Sequence, residues 1–435
     1  MRMNDLKSLD PEVYEAIVNE VNRIETGVEL IASENFVSRA VLQAMGSVFT
    51  NKYSEGYIGN RYYGGQEFVD IVEQLAIDRA KQLFGAEHVN VQPYSGSPAN
   101  QAVFFALLNP KDRFMGLDQS CGGHLTHGSP VNFSGIIYSP VPYLVDKETE
   151  YIDMDEVRRL AVKERPKMII SSLTAYPRKL EFKEFQEICE EVDAYHLADI
   201  SHIAGLIVGG AHESPLPFTD VVMTTTHKSL RGPRGAMIMC RKEDRLHDKY
   251  HPDTKKNLAR LIDSAVFPGL QGGPHDHTTA AKAVAFKEAM KPEFKDYAKQ
   301  IVKNAKALAD GLMAEGVKLV TNGTDNHLML VDLRPSGLGG RGKSIQNAMD
   351  KAGITLNKNS VPFDEASPFR PSGLRIGTPA ITTRGMKEDD MKVIAECIAR
   401  VIKDYKDEAN LKSVREDILE LVKDYPLYPG LTVLN

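Results

Sequence analysis

The chain has 435 residues, 42% of them hydrophobic and 26% charged, with a formal net charge of -6. That length exceeds one small domain and supplies a large core, while the acidic balance and the lack of a bilayer-length apolar run exclude nucleic-acid and membrane classes. Cys121, Cys189, Cys240 and Cys397 are scattered without CxxC spacing, which excludes a disulfide framework and a structural zinc site and leaves reduced thiols as the expectation.

The first residues, Met1 to Leu6, carry no hydrophobic stretch of the signal-peptide kind, so a cytoplasmic protein is expected, with small molecules or copies of itself as partners. Asp10-Pro11-Glu12 combines a capping acid, a proline at the first helical position and an acid in the first turn, and predicts a helix ending near Thr26-Gly27. Ser33, Glu34 and Asn35 then emerge from an apolar run; alone they fit an ordinary helix cap. The Asn51–Gly65 stretch places tyrosines 53, 57, 62 and 63 among glycines, one acid and few bases. Such a loop has little regular structure to gain, and ligand binding or a subunit contact explains it better than packing alone. A helix from Asp70 to Leu83 runs into Gly85, and Val89 to Pro93 reads as a strand. Tyr94-Ser95-Gly96-Ser97 joins that strand to a helix ending near Leu108, and small hydroxyl residues at a helix N-terminus form an anion cup or simply a cap.

Phe114 to Leu117 reads as a strand followed by Cys121-Gly122-Gly123-His124-Leu125-Thr126-His127. Paired glycines let the backbone approach a ligand, and an imidazole beside them can stack on a flat ring. Metal is disfavoured, since no further ligands accompany the two histidines. Strands at Met168–Ser172 and Tyr195–Asp199, with a helix between them at Phe182–Val192, predict a mostly parallel α/β sheet. Thr174 and Asp199 fall at carboxyl ends of strands, where such sheets carry ligands. Asp199 either caps a turn or holds a ring nitrogen protonated. Val221 to Met223 reads as another buried strand, and it delivers Thr224 to Gly235 with Lys228 among hydroxyls, an imidazole and two arginines. That setting suits an amine that condenses with an aldehyde, although a solvated lysine is the plainer reading of the stretch alone. Phe267 to Pro274 is a rigid, glycine-rich loop, followed by an incidental-looking His275-Asp276-His277. From Thr279 to Gly316 the pattern is helical with an interruption at Pro292, and Leu328 to Leu333 reads as a strand. Arg375, in an apolar segment flanked by glycines, is a candidate for a bidentate grip on a carboxylate.

Taken together, Leu30–Asn35, Asn51–Gly65, Ser95–Ser97, Gly122–Ser134, Thr224–Gly235, Phe267–Pro274, Thr324–His327, Asn357–Pro362 and Ser372–Thr383 resemble serine hydroxymethyltransferase along nearly the whole chain. The resemblance implies an α/β fold of the pyridoxal-phosphate fold type I, with a large seven-stranded, mostly parallel sheet domain at 28–285. A helical arm at 1–27 and a smaller α/β domain at 286–435 complete the expected organisation. The implied activity is the reversible conversion of L-serine and tetrahydrofolate to glycine and 5,10-methylenetetrahydrofolate, with pyridoxal 5'-phosphate as cofactor and no metal. In that scheme Lys228 forms the Schiff base, Asp199 pairs with the pyridine nitrogen, His124 stacks on the ring, and Thr174 and His202 lie near its phenolic oxygen. Ser95, Gly96, Ser97 and His227 hold the phosphate, joined by Tyr53, Gly272 and Gly273 of a neighbouring subunit. Ser33 and Arg375 bind the amino-acid carboxylate, Glu55 and Tyr63 of the neighbour handle protons, and Leu125 and Asn359 contact the pterin. Shared sites imply a homodimer or homotetramer.

Four features depart from the family pattern: Cys121 before the Gly-Gly-His, Thr174 where serine is usual, Ser201 between Asp199 and His202, and the His275–His277 run. Ser201 is expected to set a polar atom against the ring. The rival readings are an aldolase or hydroxymethyltransferase for other 3-hydroxy or α-methyl amino acids, and a non-catalytic binding protein.

Overall fold

A computed structural model describes residues 4–428. Chain contacts group residues 40–299 into one unit, and residues up to 39 with those from 300 onward into another.

The larger unit is built on short apolar runs too uniform to face water. The strands are β1 (His88–Asn90), β2 (Arg113–Leu117), β3 (Ser139–Tyr143), β4 (Met168–Ser172), β5 (Tyr195–Asp199), β6 (Val221–Thr225) and β7 (Ala236–Cys240). They form one sheet in the order β1-β7-β6-β5-β4-β2-β3, in which β7 alone runs against its neighbours. Every residue of β4, β5, β6 and β7 is buried, as expected for central strands of a sheet covered on both faces. The strands at 168–172 and 195–199 lie where the apolar pattern predicts them, and β6 runs two residues beyond Met223. β3 escapes the pattern because Pro140 and Pro142 interrupt it, which an edge strand tolerates. β7 escapes it because it follows the Gly-Pro-Arg-Gly stretch directly.

The helices that position the site are α1 (Glu67–Phe84), α2 (Gly96–Leu107), α3 (Phe182–Val192) and α4 (Asp276–Ala289). α1 ends on Gly85 in the left-handed conformation, with its N–H bonded to Lys81. α2 packs Val103, Phe104 and Leu107 into the core formed with Phe114, Ile170, Leu197, Met223 and Ile238. Phe104 meets Phe114, Phe133 and Tyr138 edge to face.

In the second unit, Leu328–Asp332, Gly373–Gly377 and Asn357–Asn359 form a three-stranded antiparallel sheet in that order. Val28–Glu29 pairs in parallel with Ile354–Thr355, and Val28 and Leu30 pack with Leu308, Met329, Ile376 and Ile398 in one core. The Pro11–Thr26 helix is capped by Asp10, whose side chain accepts from the Val13 N–H. No helix among the described residues is long and apolar enough to cross a membrane.

The core also holds a titratable group with a measurable consequence. His196 on β5 is fully buried between Ser171 Oγ (2.8 Å) and Gln186 Oε1 (3.2 Å), and burial together with Arg245 and Arg241 pushes its imidazole down to about 3. The folded value lies below the unfolded one of about 6.5, so the neutral ring's contribution is intact above that pH and is lost as pH falls toward 3. In urea unfolding below pH 6.5, the wild type is expected to lose stability relative to His196→Gln by up to about 1.4 kcal/mol per pH unit. Parallel pH curves would contradict this assignment.

Candidate functional site

The carboxyl ends of the parallel strands bring several candidate residues of the large unit to one end of the sheet. β5 delivers Asp199, β6 runs on to His227 and Lys228, and β4 leads to Thr174. β2 leads to His124, and β1 leads through Val91 to Tyr94 into Ser95 at the start of α2.

Asp199 is the electrostatic centre of this arrangement. One carboxylate oxygen, Oδ2, accepts from His127 Nε2 at 3.2 Å and from Asn100 Nδ2 at 3.0 Å, and the other accepts from the Ser201 N–H at 3.1 Å. Burial alone would raise its pKa, but the hydrogen bond and charge of His127, with the charges of His124 and Lys228, hold it well below the usual carboxylate range. It therefore stays anionic in a buried setting.

Asn100 extends the network outward. Its amide also donates to Thr126 Oγ1 at 2.9 Å, and the Thr126 hydroxyl lies 2.7 Å from His124 Nδ1, which also accepts from the Thr126 N–H at 3.2 Å. Since Nδ1 accepts from the Thr126 N–H it carries no proton, so the Thr126 hydroxyl donates to it and the ring's proton sits on Nε2. The ring's orientation is thus tied to the carboxylate through two buried side chains. Asn100, Thr126 and His127 were not singled out by sequence reasoning. His127 was weighed there only as half of a metal pair, and its offset of three residues from His124 is the signal that both rings belong to one turn, Leu125–His127 capped by His124.

The protein's own backbone already requires the paired glycines. A Cβ on Gly123 would lie 1.8 Å from the Leu117 carbonyl oxygen, and one on Gly122 would lie 2.7 Å from the Tyr176 nitrogen. Gly122 has φ +103 and its carbonyl accepts from the Thr174 and Ala175 N–H groups at 2.8 and 3.0 Å. The glycines let the chain pass between the ends of β2 and β4, which places His124 and Thr174. Cys121 beside them is buried, and burial pushes its thiol up, away from reactivity.

The Ser201 hydroxyl accepts from the Thr225 N–H at 3.1 Å and lies 3.8 Å from Met223 Sδ, so it links the ends of β5 and β6. His202 is buried next to it, and its carbonyl accepts from Ser229 Oγ at 2.7 Å, which fixes the turn after Lys228. That loop is closed on itself by Thr226 N–H to the Gly235 carbonyl (3.0 Å), Gly232 N–H to the Thr226 carbonyl (2.7 Å) and Thr226 Oγ1 to the Pro233 carbonyl (2.6 Å). Lys228 itself is half-buried.

The residues fit an anionic, aldehyde-bearing aromatic cofactor. His227 Nδ1 is buried without a hydrogen-bond partner, and burial, Lys228 and Arg234 push that imidazole down to about 3. An orphaned ring nitrogen beside cationic groups is a place where a bound anion would restore both hydrogen bonding and charge balance. The Gly96 and Ser97 N–H groups open the twelve-residue helix α2 with Ser95 at the cap position and no side-chain cap hydrogen bond, which leaves its N-terminal donors for an anion. Among the described residues no cluster of His, Cys, Asp and Glu has the makings of a metal site.

Tyr53, Glu55, Gly272 and Gly273 form a separate cluster on the same unit. A Cβ on Gly272 would meet Glu55 Oε1 at 3.0 Å, and one on Gly273 would meet the Tyr53 ring at 3.2 Å. Tyr63 packs edge to face on Tyr53 at 5.4 Å, and both tyrosines are at least half exposed. The stretch is more ordered than its composition suggests. Gly56–Tyr57 and Asn60–Arg61 form a small hairpin, Arg61 Nη1 donates to the Ser54 and Gly56 carbonyls, and Ser54 Oγ donates to Asp276 at 2.7 Å. Asp276 thereby acquires a function, and His275 stacks on Tyr94 at 4.2 Å; the run that looked incidental anchors the Tyr53–Glu55 segment.

In the other unit, Arg375 lies in the middle strand of the three-stranded sheet. Its Nε donates to Asn357 Oδ1 at 3.1 Å and its Nη2 to Ser33 Oγ at 3.5 Å, and burial pushes the guanidinium down to about 10. An arriving carboxylate would reverse that penalty. Asn359, on the neighbouring strand, pairs in register with Gly373, and its amide donates to the Ser360 carbonyl. Leu125, in the large unit, is over a third exposed.

A protein-family model described as serine hydroxymethyltransferase matches residues 6–398. The match covers both units and every candidate residue named above. The family's members are pyridoxal-phosphate-dependent glycine hydroxymethyltransferases that act on serine, glycine and tetrahydrofolate, and the seven-stranded sheet is the one their fold requires. The chain belongs to the serine hydroxymethyltransferase family.

Proposed function

We propose that this chain carries out the serine and glycine interconversion with tetrahydrofolate through the residues gathered at the carboxyl end of the large sheet. The observation that carries this reading is the buried, anionic Asp199, held by His127, Asn100 and the Ser201 N–H within the field of Lys228. Pyridoxal phosphate, when bound, supplies an aldehyde that condenses with amines and a protonated ring that draws electron density from the amino-acid α-carbon. Lys228 is the amine that would hold it covalently. Asp199 would keep the ring nitrogen protonated, and its depressed pKa ensures that it remains a carboxylate while doing so. His124, oriented by Thr126 and Asn100, would stack on the ring; Thr174 and His202 would face its phenolic oxygen. Ser95, Gly96, Ser97 and His227 would hold the phosphate.

Arg375 and Ser33 would fix the serine carboxylate. Glu55 and Tyr63 would move the proton at the serine hydroxyl, and Leu125 and Asn359 would contact the pterin. Tyr53, Glu55, Tyr63, Gly272 and Gly273 are proposed to serve the site of a neighbouring copy, so that the working form is a homodimer or homotetramer; the exposed tyrosines of that cluster support this. Titrating the protein with pyridoxal phosphate tests the cofactor assignment: a visible absorption band that saturates at one equivalent per chain is expected, and no band would overturn it.

Arg375→Ala is expected to raise the serine KM on the order of a hundredfold, since two charge-assisted hydrogen bonds contribute about 3 kcal/mol and 1.4 kcal/mol is tenfold. Serine saturation kinetics at fixed tetrahydrofolate measure this, and an unchanged KM would remove Arg375 from carboxylate binding.

A further inference from the structure

Lys282 projects from α4 into the large unit's interior, where its side chain is 1% exposed among Ala281, Ala285 and Phe286. A buried ammonium is tolerated only if its donors are met. Its Nζ donates to the carbonyl oxygens of Val91 at 2.6 Å, Ala236 at 2.8 Å and Pro93 at 3.2 Å. An ammonium has three N–H groups and no lone pair, so three carbonyls match it fully; a neutral amine would turn its lone pair on one of them. Burial pushes the group down to about 7, and Glu73 opposes that shift. The three carbonyl oxygens oppose it as well, because they favour the charged form.

The position of those carbonyls gives the contact its meaning. Val91 and Pro93 lead from β1 into Tyr94-Ser95-Gly96-Ser97, the candidate phosphate cup. Ala236 opens β7 and closes the loop that carries Lys228, through Gly235 and its bond to the Thr226 N–H. The Ala236 N–H donates in turn to the Pro93 carbonyl at 3.2 Å. Gly235 belongs to the same device, because a Cβ there would lie 2.6 Å from Lys282 Cε and 3.2 Å from its Nζ. One buried cation therefore bridges the two segments that would grip opposite ends of one molecule.

On the reading of these loops as the cofactor's, we infer that Lys282 is a positioning residue that sets the spacing between the phosphate cup and Lys228. It touches neither the cofactor nor the substrate. Loss of a spacer has a signature that general destabilisation lacks. In the wild type, phosphate and aldehyde would be engaged together, so pyridoxal phosphate is expected to bind far more tightly than pyridoxal; without the bridge the two grips would fall out of register and that advantage would shrink.

The experiment titrates apo protein with pyridoxal phosphate and, separately, with pyridoxal, following visible absorption for the wild type, Lys282→Met and Gly235→Ala. For Lys282→Met the ratio of the two dissociation constants is expected to fall by about tenfold or more, as for loss of a charge-assisted hydrogen bond or two. Gly235→Ala, which presses on the same stem, is expected to move the ratio in the same direction and serves if Lys282→Met does not fold. A wild-type ratio in a folded Lys282→Met, or in Gly235→Ala where only that variant folds, would overturn the inference. Absence of a band in the wild type itself would instead overturn the cofactor assignment on which the inference rests.

Discussion

Lys228→Ala is expected to lower steady-state turnover of serine on the order of 10³-fold or more, the largest effect of any single substitution in the site. The lysine follows β6 on a loop closed by the Thr226, Gly232 and Pro233 bonds, so alanine removes the amine without loosening the turn. The loss should fall on attachment of the cofactor and release of product. Carbon–carbon cleavage itself relies on proton handling that the proposed scheme gives to Glu55. A variant loaded with cofactor and serine is therefore expected to cleave once. Rapid-quench measurement of that single turnover separates the two roles, and no cleavage would transfer the main proton-handling task to Lys228.

Asp199→Asn is expected to lower kcat by about 10³-fold, within the range typical for a group whose charge governs proton position at the reacting centre. The amide keeps an acceptor for the Ser201 N–H but removes the anion that offsets His127 and Lys228. The ring nitrogen would then lack a carboxylate to hold its proton. Serine KM should change little, because Arg375 and Ser33 are untouched. Turnover within tenfold of the wild type would show that Asp199 is a cap on the turn and no more, the plainer reading its sequence context allowed.

The residues that announced themselves in the sequence did so because their types are rare in their positions: an acid ending an apolar strand, a lysine in a glycine- and hydroxyl-rich turn, an arginine inside a buried segment. Met168–Ser172 and Tyr195–Asp199 were legible to the residue, since burial on both faces demands apolar runs, and so was the helix Phe182–Val192, whose apolar residues recur on one face. The family resemblance, carried by motifs spread along the chain, is met by the match over residues 6–398. What stayed hidden depended on contacts across long sequence separations. Asn100 and Asp199 are 99 positions apart, Ser54 and Asp276 are 222 apart, and Lys282 and Val91 are 191 apart. No local pattern reports such pairs. The glycines of Gly122-Gly123 were visible, but their reason was not: it lies in the backbone of Leu117 and Tyr176, which only the sheet brings close. The link from Ser201 to Thr225 was hidden for the same cause, because the hydroxyl's partner is on the next strand.

The most direct test of the account compares the rate of serine cleavage by the cofactor-loaded protein with and without tetrahydrofolate. Cleavage is expected to be fast only when tetrahydrofolate is present, with glycine and methylenetetrahydrofolate formed in equal amounts. Equal rates in its presence and absence would contradict it and point to an aldolase acting on other 3-hydroxy amino acids.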